Sequence, residues 1–193
     1  MSNYQKIDSL EDKLTEMIRG RAIYKERLAD IERDENLSST GKHEAAVELH
    51  GKAKAKHEEL WAAYDAEVQS TRTNLRQKAF SPQFGYLTDQ AVKVATRAAY
   101  AAAMDRASSM NEEELRAAME RALRADDELS AQAIGHVAWE KGASRVIEHF
   151  VEHDKNGDLR RLYEFEEAYG DRRSIQKKFE HKMAFSLPEW PTF

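Results

Sequence analysis

At 193 residues, with 34% charged side chains and only eight Gly and three Pro, the chain is long enough for one or two domains with a sizeable core. Its mean hydropathy of −0.79 is low for a plain globular enzyme, and its net charge of −5 argues against a general nucleic-acid binder, which is normally basic. The absence of Cys excludes disulfides, thiolate zinc sites and a cysteine nucleophile, and a reducing cytosol fits it.

The opening MSNYQKIDSLEDK is polar, so no secretory signal is expected. No apolar run approaches the ~20 residues that span a bilayer. The first element is a long helix with apolar residues at Ile7, Leu10, Leu14, Met17, Tyr24, Leu28 and Ile31, Arg21 filling the gap. These steps of three and four hold one seam against a partner helix. The run breaks at ENLSSTGK, where Ser38, Ser39 and Thr40 are good N-caps and Gly41 loosens the turn. A second helical pattern covers residues 43–80, about 55 Å at 1.5 Å per residue. Its stripe holds Val47, His50, His57, Trp61, Tyr64, Val68 and Leu75, with Leu49, Ala53 and Leu60 beside it. Residues 1–80 therefore predict a long antiparallel, coiled-coil-like hairpin.

Residues 81–89 form the clearest boundary, a linker in which Pro82 and Gly85 break the helix and Phe84, Tyr86 and Leu87 supply apolar anchors. DQAVKVATRAAYAAAMDRA then suits closely packed helices. Asn111 followed by Glu112, Glu113 and Glu114 is an N-cap with acids in the first turn, where the helix dipole favours them. A helix to about residue 124 follows, then one over 129–139, its continuation or successor past Gly142 to 153, and two more patterns, LRRLYEFEEAY and RRSIQKKFEHKM, separated by Gly170. No β-alternation occurs. The predicted fold is all-α: the hairpin, a compact bundle of five or six short helices over 90–184, and an extended aromatic tail over 185–193.

HFVEH, residues 149–153, spells the H-x-x-E-H of inverted zinc metalloproteases, and histidines at i and i+4 share one helix face and can ligate Zn²⁺ together. A third ligand would come from Glu164, Glu166 or Glu167, yet that family builds its site on a large α/β scaffold. Val146, Ile147, Phe150 and Val151 also read as a core stripe, with Glu148, Glu152 and His153 solvated, and the solvated-face reading is preferred to a metal. DKNGD places Asp154, Asn156 and Asp158 like a calcium loop, but the sixth and twelfth positions are Leu159 and Phe165 where Gly and Glu are needed. A polar turn with Asp158 as N-cap fits better. No His has a Glu three residues before it, as a di-iron bundle requires. Ser174 to Lys177 matches S-x-x-K without its companion motifs. G-x-S-x-G, Walker A and G-x-G-x-x-G are all missing. The expectation is a non-enzyme without metal or cofactor.

Binding features are stronger. His43, His50 and His57 recur every seven residues, a line whose protonation would set like charges along one seam, although ordinary helix patterning also tolerates it. Trp61 and Tyr64 share a helix face and suit either the hairpin core or an interface. RRSIQKKFEHK carries Arg172, Arg173, Lys177, Lys178 and Lys182 against Glu180, a local charge of +4, whereas residues 148–171 hold eight acids against Lys155, Arg160 and Arg161. Such segregation suits self-association or a charged partner. The tail FSLPEWPTF presents Phe185, Leu187, Trp190 and Phe193 on a chain that Pro keeps extended, and docking on its own bundle or, as the preferred reading, on a neighbouring subunit would bury them.

The hairpin punctuated by ENLSSTGKHEAAVEL, the alanine- and arginine-rich body and the short aromatic tail together resemble small helical virion proteins of bacteriophages, particularly actinobacterial ones, in style over the first 80 or so residues. The resemblance implies a capsid-associated, scaffolding or head–tail connector component, located in the host cytoplasm during assembly and then in the virion. Protein is the expected partner, as a homo-oligomer or with other virion proteins, with no membrane or sequence-specific nucleic acid. The expected contacts are Trp61, Tyr64, Trp190 and Phe193 as apolar anchors and Arg172, Arg173, Lys177 and Lys178 as the charged set. The alternative is a phage-encoded inhibitor or adaptor of a host target, using the acidic surface around residues 112–128. A zinc hydrolase is a remote third.

Overall fold

The computed structural model describes residues 3–82, residues 89–170 and Ser186, and every regular element among them is an α-helix. They group into two units, Met1–Thr71 with Glu167–Phe193, and Arg72–Glu166. The division falls inside helices rather than at residues 81–89.

In the first unit, α1 (Asn3–Arg33) ends where Asp34 turns the chain, its Oδ1 accepting from Asn36 N at 2.9 Å and Asn36 Nδ2 at 3.1 Å. Ser38 caps α2 (Ser39–Phe80): its Oγ accepts from Gly41 N at 3.1 Å and its carbonyl from Lys42 N at 2.9 Å. The cap starts the helix before residue 43, and its 42 residues make a rod of about 63 Å. The two helices run antiparallel. Lys13 pairs with Glu67, which also accepts from Ser9 Oγ at 3.0 Å, while Tyr24 Oη meets His50 Nδ1 at 3.0 Å and Lys42 Nζ donates to the Glu32 carbonyl at 2.8 Å.

The α1 seam is as its spacing predicts, with Leu10, Met17 and Tyr24 buried and Leu14, Arg21, Leu28 and Ile31 half-buried. On α2 the stripe is shifted at its start. Ala46 is buried and Val47 is 44% exposed, because positions 46, 50, 53, 57, 60 and 64 keep the three–four spacing with buried Tyr64. Val47 lies about 100° further round.

The second unit contains the end of α2, α3 (Gln90–Ser108), α4 (Glu112–Arg124), α5 (Glu128–Lys141), α6 (Ser144–Glu152) and the start of α7 (Asp158–Ala168). The capping box at α4 is complete: Asn111 Oδ1 accepts from Glu114 N at 3.0 Å and Glu114 Oε2 from Asn111 N at 2.8 Å. Gly142 stops α5 at φ +70, a conformation that favours glycine. Helix α5 is the centre, packing on α3, α4 and α6, with α4 also meeting α6. Its Ala131, Ala133, Ile134, Val137, Ala138 and Trp139 are buried on more than one face. Leu115 and Met119, Val146 and Ile147, and Leu159, Leu162 and Phe165 bring the apolar stripes of α4, α6 and α7 into the core.

Residues 72–80, which the sequence places with the hairpin, belong to this unit. Leu75, Ala79 and Phe80 are buried, and the Phe80 ring stacks on His136 at 5.0 Å and 5°. Tyr100 Oη donates to the Phe80 carbonyl and meets His136 Nδ1 at 3.1 Å. Burial, with Glu140 adding, pushes the Tyr100 phenol up to about 12. Burial also holds the His136 imidazole below its ordinary 6.5, with Glu140 opposing and Arg76 reinforcing the shift.

A folded value below the unfolded one means that the unfolded chain takes up the proton first as pH falls. The neutral ring's contribution is therefore present above pH 6.5 and is lost as pH drops through it. Thermal midpoints between pH 7.5 and 5.5 should decline in the parent and decline less in His136→Gln. Parallel curves would remove His136 as the cause.

Candidate functional site

Four of the six large apolar side chains exposed among the described residues lie on α1 and α2: Ile18, Ile23, Val47 and Trp61. The structure separates the two aromatic residues singled out by the sequence. Tyr64 lies in the hairpin core at 3% exposure, while Trp61 keeps 43% of its surface and stacks on Tyr64 with ring centres 6.0 Å apart and planes 21° apart. The buried ring fixes the exposed one, which lowers the rotamer entropy an interface anchor loses on contact. By the hairpin register, residue 18 falls level with residues 60 and 61. Helical periodicity puts Ile18, at 52% exposure, and Trp61 on the same flank.

The other flank carries a cavity of about 250 Å³. Its floor is apolar, from Met17, Tyr24, Leu49, Ala53 and Leu60, and its rim is cationic, from Arg21, Arg27, Lys52 and Lys56 with His57 beside them, and no acid is among the lining residues. Two rim cations have acidic neighbours on their own helix: Lys52 pairs with Glu48, and Lys56 with Glu59 at 3.3 Å. Such exposed pairs are worth little and are readily exchanged. The sequence carries one signal for this cavity. The signal is a charged seam residue beside Gly20, where neither side chain fills the space between helices as Leu would. His50 and His57 are half-buried and His43 is exposed, so the line of three histidines meets three different surroundings.

On α6, Val146, Ile147 and Phe150 are buried, Val151 is half-buried, and Glu148, Glu152 and His153 face solvent. The turn after it departs from expectation at one residue. Asp158 is the first residue of α7 rather than its cap, and the amides of that first turn are satisfied by the carboxylate of Asp154. Gly157 at φ +70 folds the turn so that Asp154 Oδ1 accepts from Asn156 N and Gly157 N, and Oδ2 from Leu159 N at 2.8 Å and Arg160 N at 3.0 Å. A carboxylate satisfied by backbone amides in this way serves the turn and not a calcium ion.

Arg172, Arg173, Lys177, Lys178, Trp190 and Phe193 lie outside the described residues, as does the aromatic tail apart from Ser186. No helix among the described residues is long and apolar enough to cross a membrane. No protein-family model matches the chain, and neither does any curated protein or solved structure.

Proposed function

We propose that this chain is a non-enzymatic assembly protein acting through protein–protein contacts, in the manner of a phage capsid-associated, scaffolding or connector component. The observation that carries this reading is Trp61, a large aromatic side chain left 43% exposed and seated on a buried tyrosine. Aromatic residues held in this way are the usual energetic centres of interfaces. The partner is a second copy of the chain. Residues 148–171 are acidic and residues 172–182 basic, so each copy offers the other a surface of opposite charge. The virion setting rests on the resemblance of the first 80 or so residues.

The test is sedimentation velocity of the full chain across a concentration series, beside Trp61→Ala and the double variant Trp190→Ala, Phe193→Ala. A concentration-dependent oligomer is expected. Trp61→Ala should weaken association by about 30-fold, the size of an interface hot spot, with helicity unchanged because the side chain is largely outside the core. A parent that stays monomeric throughout, or an unaltered oligomer in Trp61→Ala, defeats the proposal. The rival reading, an inhibitor or adaptor using the acids of residues 112–128, has less support. Glu114 and Asp127 are engaged as helix caps, and Asp126 and Glu128 pair with Lys155.

A further inference from the structure

We infer that the outer face of α6 is a binding site for a borderline divalent transition ion, Cu²⁺ most strongly, with Ni²⁺ and Zn²⁺ after it. The donors are His149, Glu152 and His153, which fall inside the acidic stretch of residues 148–171, and the inference does not rest on the assembly reading above.

The buried Val146, Ile147 and Phe150 fix the inner face of α6, so the helix presents its outer face on a held backbone. One donor atom from each of His149, Glu152 and His153 lies within 4.8 Å of the other two. His149 Nδ1 stands 3.9 Å from Glu152 Oε2, and the two imidazole rings meet edge-on with centres 4.7 Å apart. An ion with bonds of about 2.0–2.1 Å holds its donors roughly 3–3.5 Å apart, so the side chains need close by only an ångström or so. His149 is half-buried and Glu152 and His153 are exposed, which leaves room for that closure.

The backbone has already selected the protonation of one ligand. His153 Nδ1 lies 2.9 Å from the His149 carbonyl, and a carbonyl only accepts, so Nδ1 carries the hydrogen. In the neutral ring this leaves the Nε2 lone pair for a metal. A histidine ligand anchored through its second nitrogen to a backbone oxygen is the usual supporting arrangement at metal sites.

Ligand chemistry selects the ion. Two imidazoles and one carboxylate suit copper, nickel and zinc, in the order that makes copper tightest. Ca²⁺ and Mg²⁺ need more oxygens than this donor set holds, and Asp154, which follows His153, is taken up by the first turn of α7. Three donors from one helix leave the outer coordination positions to water. Glu152, which would have to activate a water in a metalloprotease, belongs here to the ligand set, so the site holds an ion and is not offered as a hydrolase.

The experiment is calorimetric titration of the chelator-treated full chain with CuSO₄, ZnCl₂ and CaCl₂ in a non-coordinating buffer. It is repeated on His153→Ala, His149→Ala and Glu152→Gln, with helicity followed by circular dichroism. One Cu²⁺ per chain is expected, tighter than Zn²⁺, with no Ca²⁺ uptake. Each histidine substitution should weaken Cu²⁺ by at least 10-fold, and Glu152→Gln by a smaller factor. The copper electron paramagnetic resonance spectrum should show two coordinating nitrogens in the parent and one in His153→Ala, a solvent-facing substitution that leaves the core intact. Copper affinity unchanged in both histidine variants, or no copper binding by a folded parent, overturns the inference.

Discussion

Arg72→Met is expected to lower the unfolding free energy by about 3–5 kcal/mol, the cost of leaving a buried charge without its counter-ion. Glu166 is 3% exposed, deep among apolar neighbours on α7. Arg72 meets it fork to fork, Nε donating to Oε1 at 2.7 Å and Nη2 to Oε2 at 3.2 Å. Methionine keeps the aliphatic stem and removes both hydrogen bonds and the charge, so the carboxylate must either stay desolvated or open the surrounding packing to water. The double variant Arg72→Met, Glu166→Leu should recover most of the loss, because two apolar groups of similar size carry no desolvation cost. A urea titration with constant slope measures both. If Arg72→Met costs under about 1 kcal/mol, the pair behaves as a surface ion pair and the burial of Glu166 is not what holds it.

That pair also marks a limit of reading this fold from its sequence. Arg72 and Glu166 are 94 residues apart, each is one charge among many, and no periodicity links them. Local signals were legible. Asn111 followed by three acids announces the start of α4, and the three–four steps from Leu10 to Tyr24 announce the hairpin seam, whereas Gly142 alone left open whether α5 continued or a new helix began. The phase of α2 was harder, since Ala46 and Val47 are adjacent and apolar, and only the partner helix decides which faces inward. Size misleads there, because the smaller residue is the buried one. The three donors on α6 were readable because they lie within one helical turn, whereas the hairpin cavity was not, since it arises from what Gly20 and Arg21 do not fill.

Gly135 tests how tightly the second unit is built, and it looks wrong in sequence, a helix-weakening residue in the middle of α5. Propensity alone predicts a gain of about 1 kcal/mol for Gly135→Ala. The structure predicts a loss. A Cβ at this position would sit 2.5 Å from Cδ1 and Cε1 of Phe150 and 3.6 Å from Cε of Met119. The clash falls on the side of a buried aromatic ring, not on a flexible tip, and α4 closes the space behind Met119, which is itself buried. Overpacking of this kind costs about 1–3 kcal/mol, so Gly135→Ala should destabilise slightly after the propensity gain, and Gly135→Val by about 3 kcal/mol. Adding Phe150→Leu should relieve either substitution, giving a favourable coupling energy in a double-mutant cycle. Because Phe150 adjoins His149, the displaced ring must also disturb the outer face of α6. Copper affinity should therefore fall in Gly135→Ala although no donor has changed. A Gly135→Ala protein that gains the full propensity increment would show that α6 yields freely, and the preformed donor face would then lose the rigid backing assigned to it.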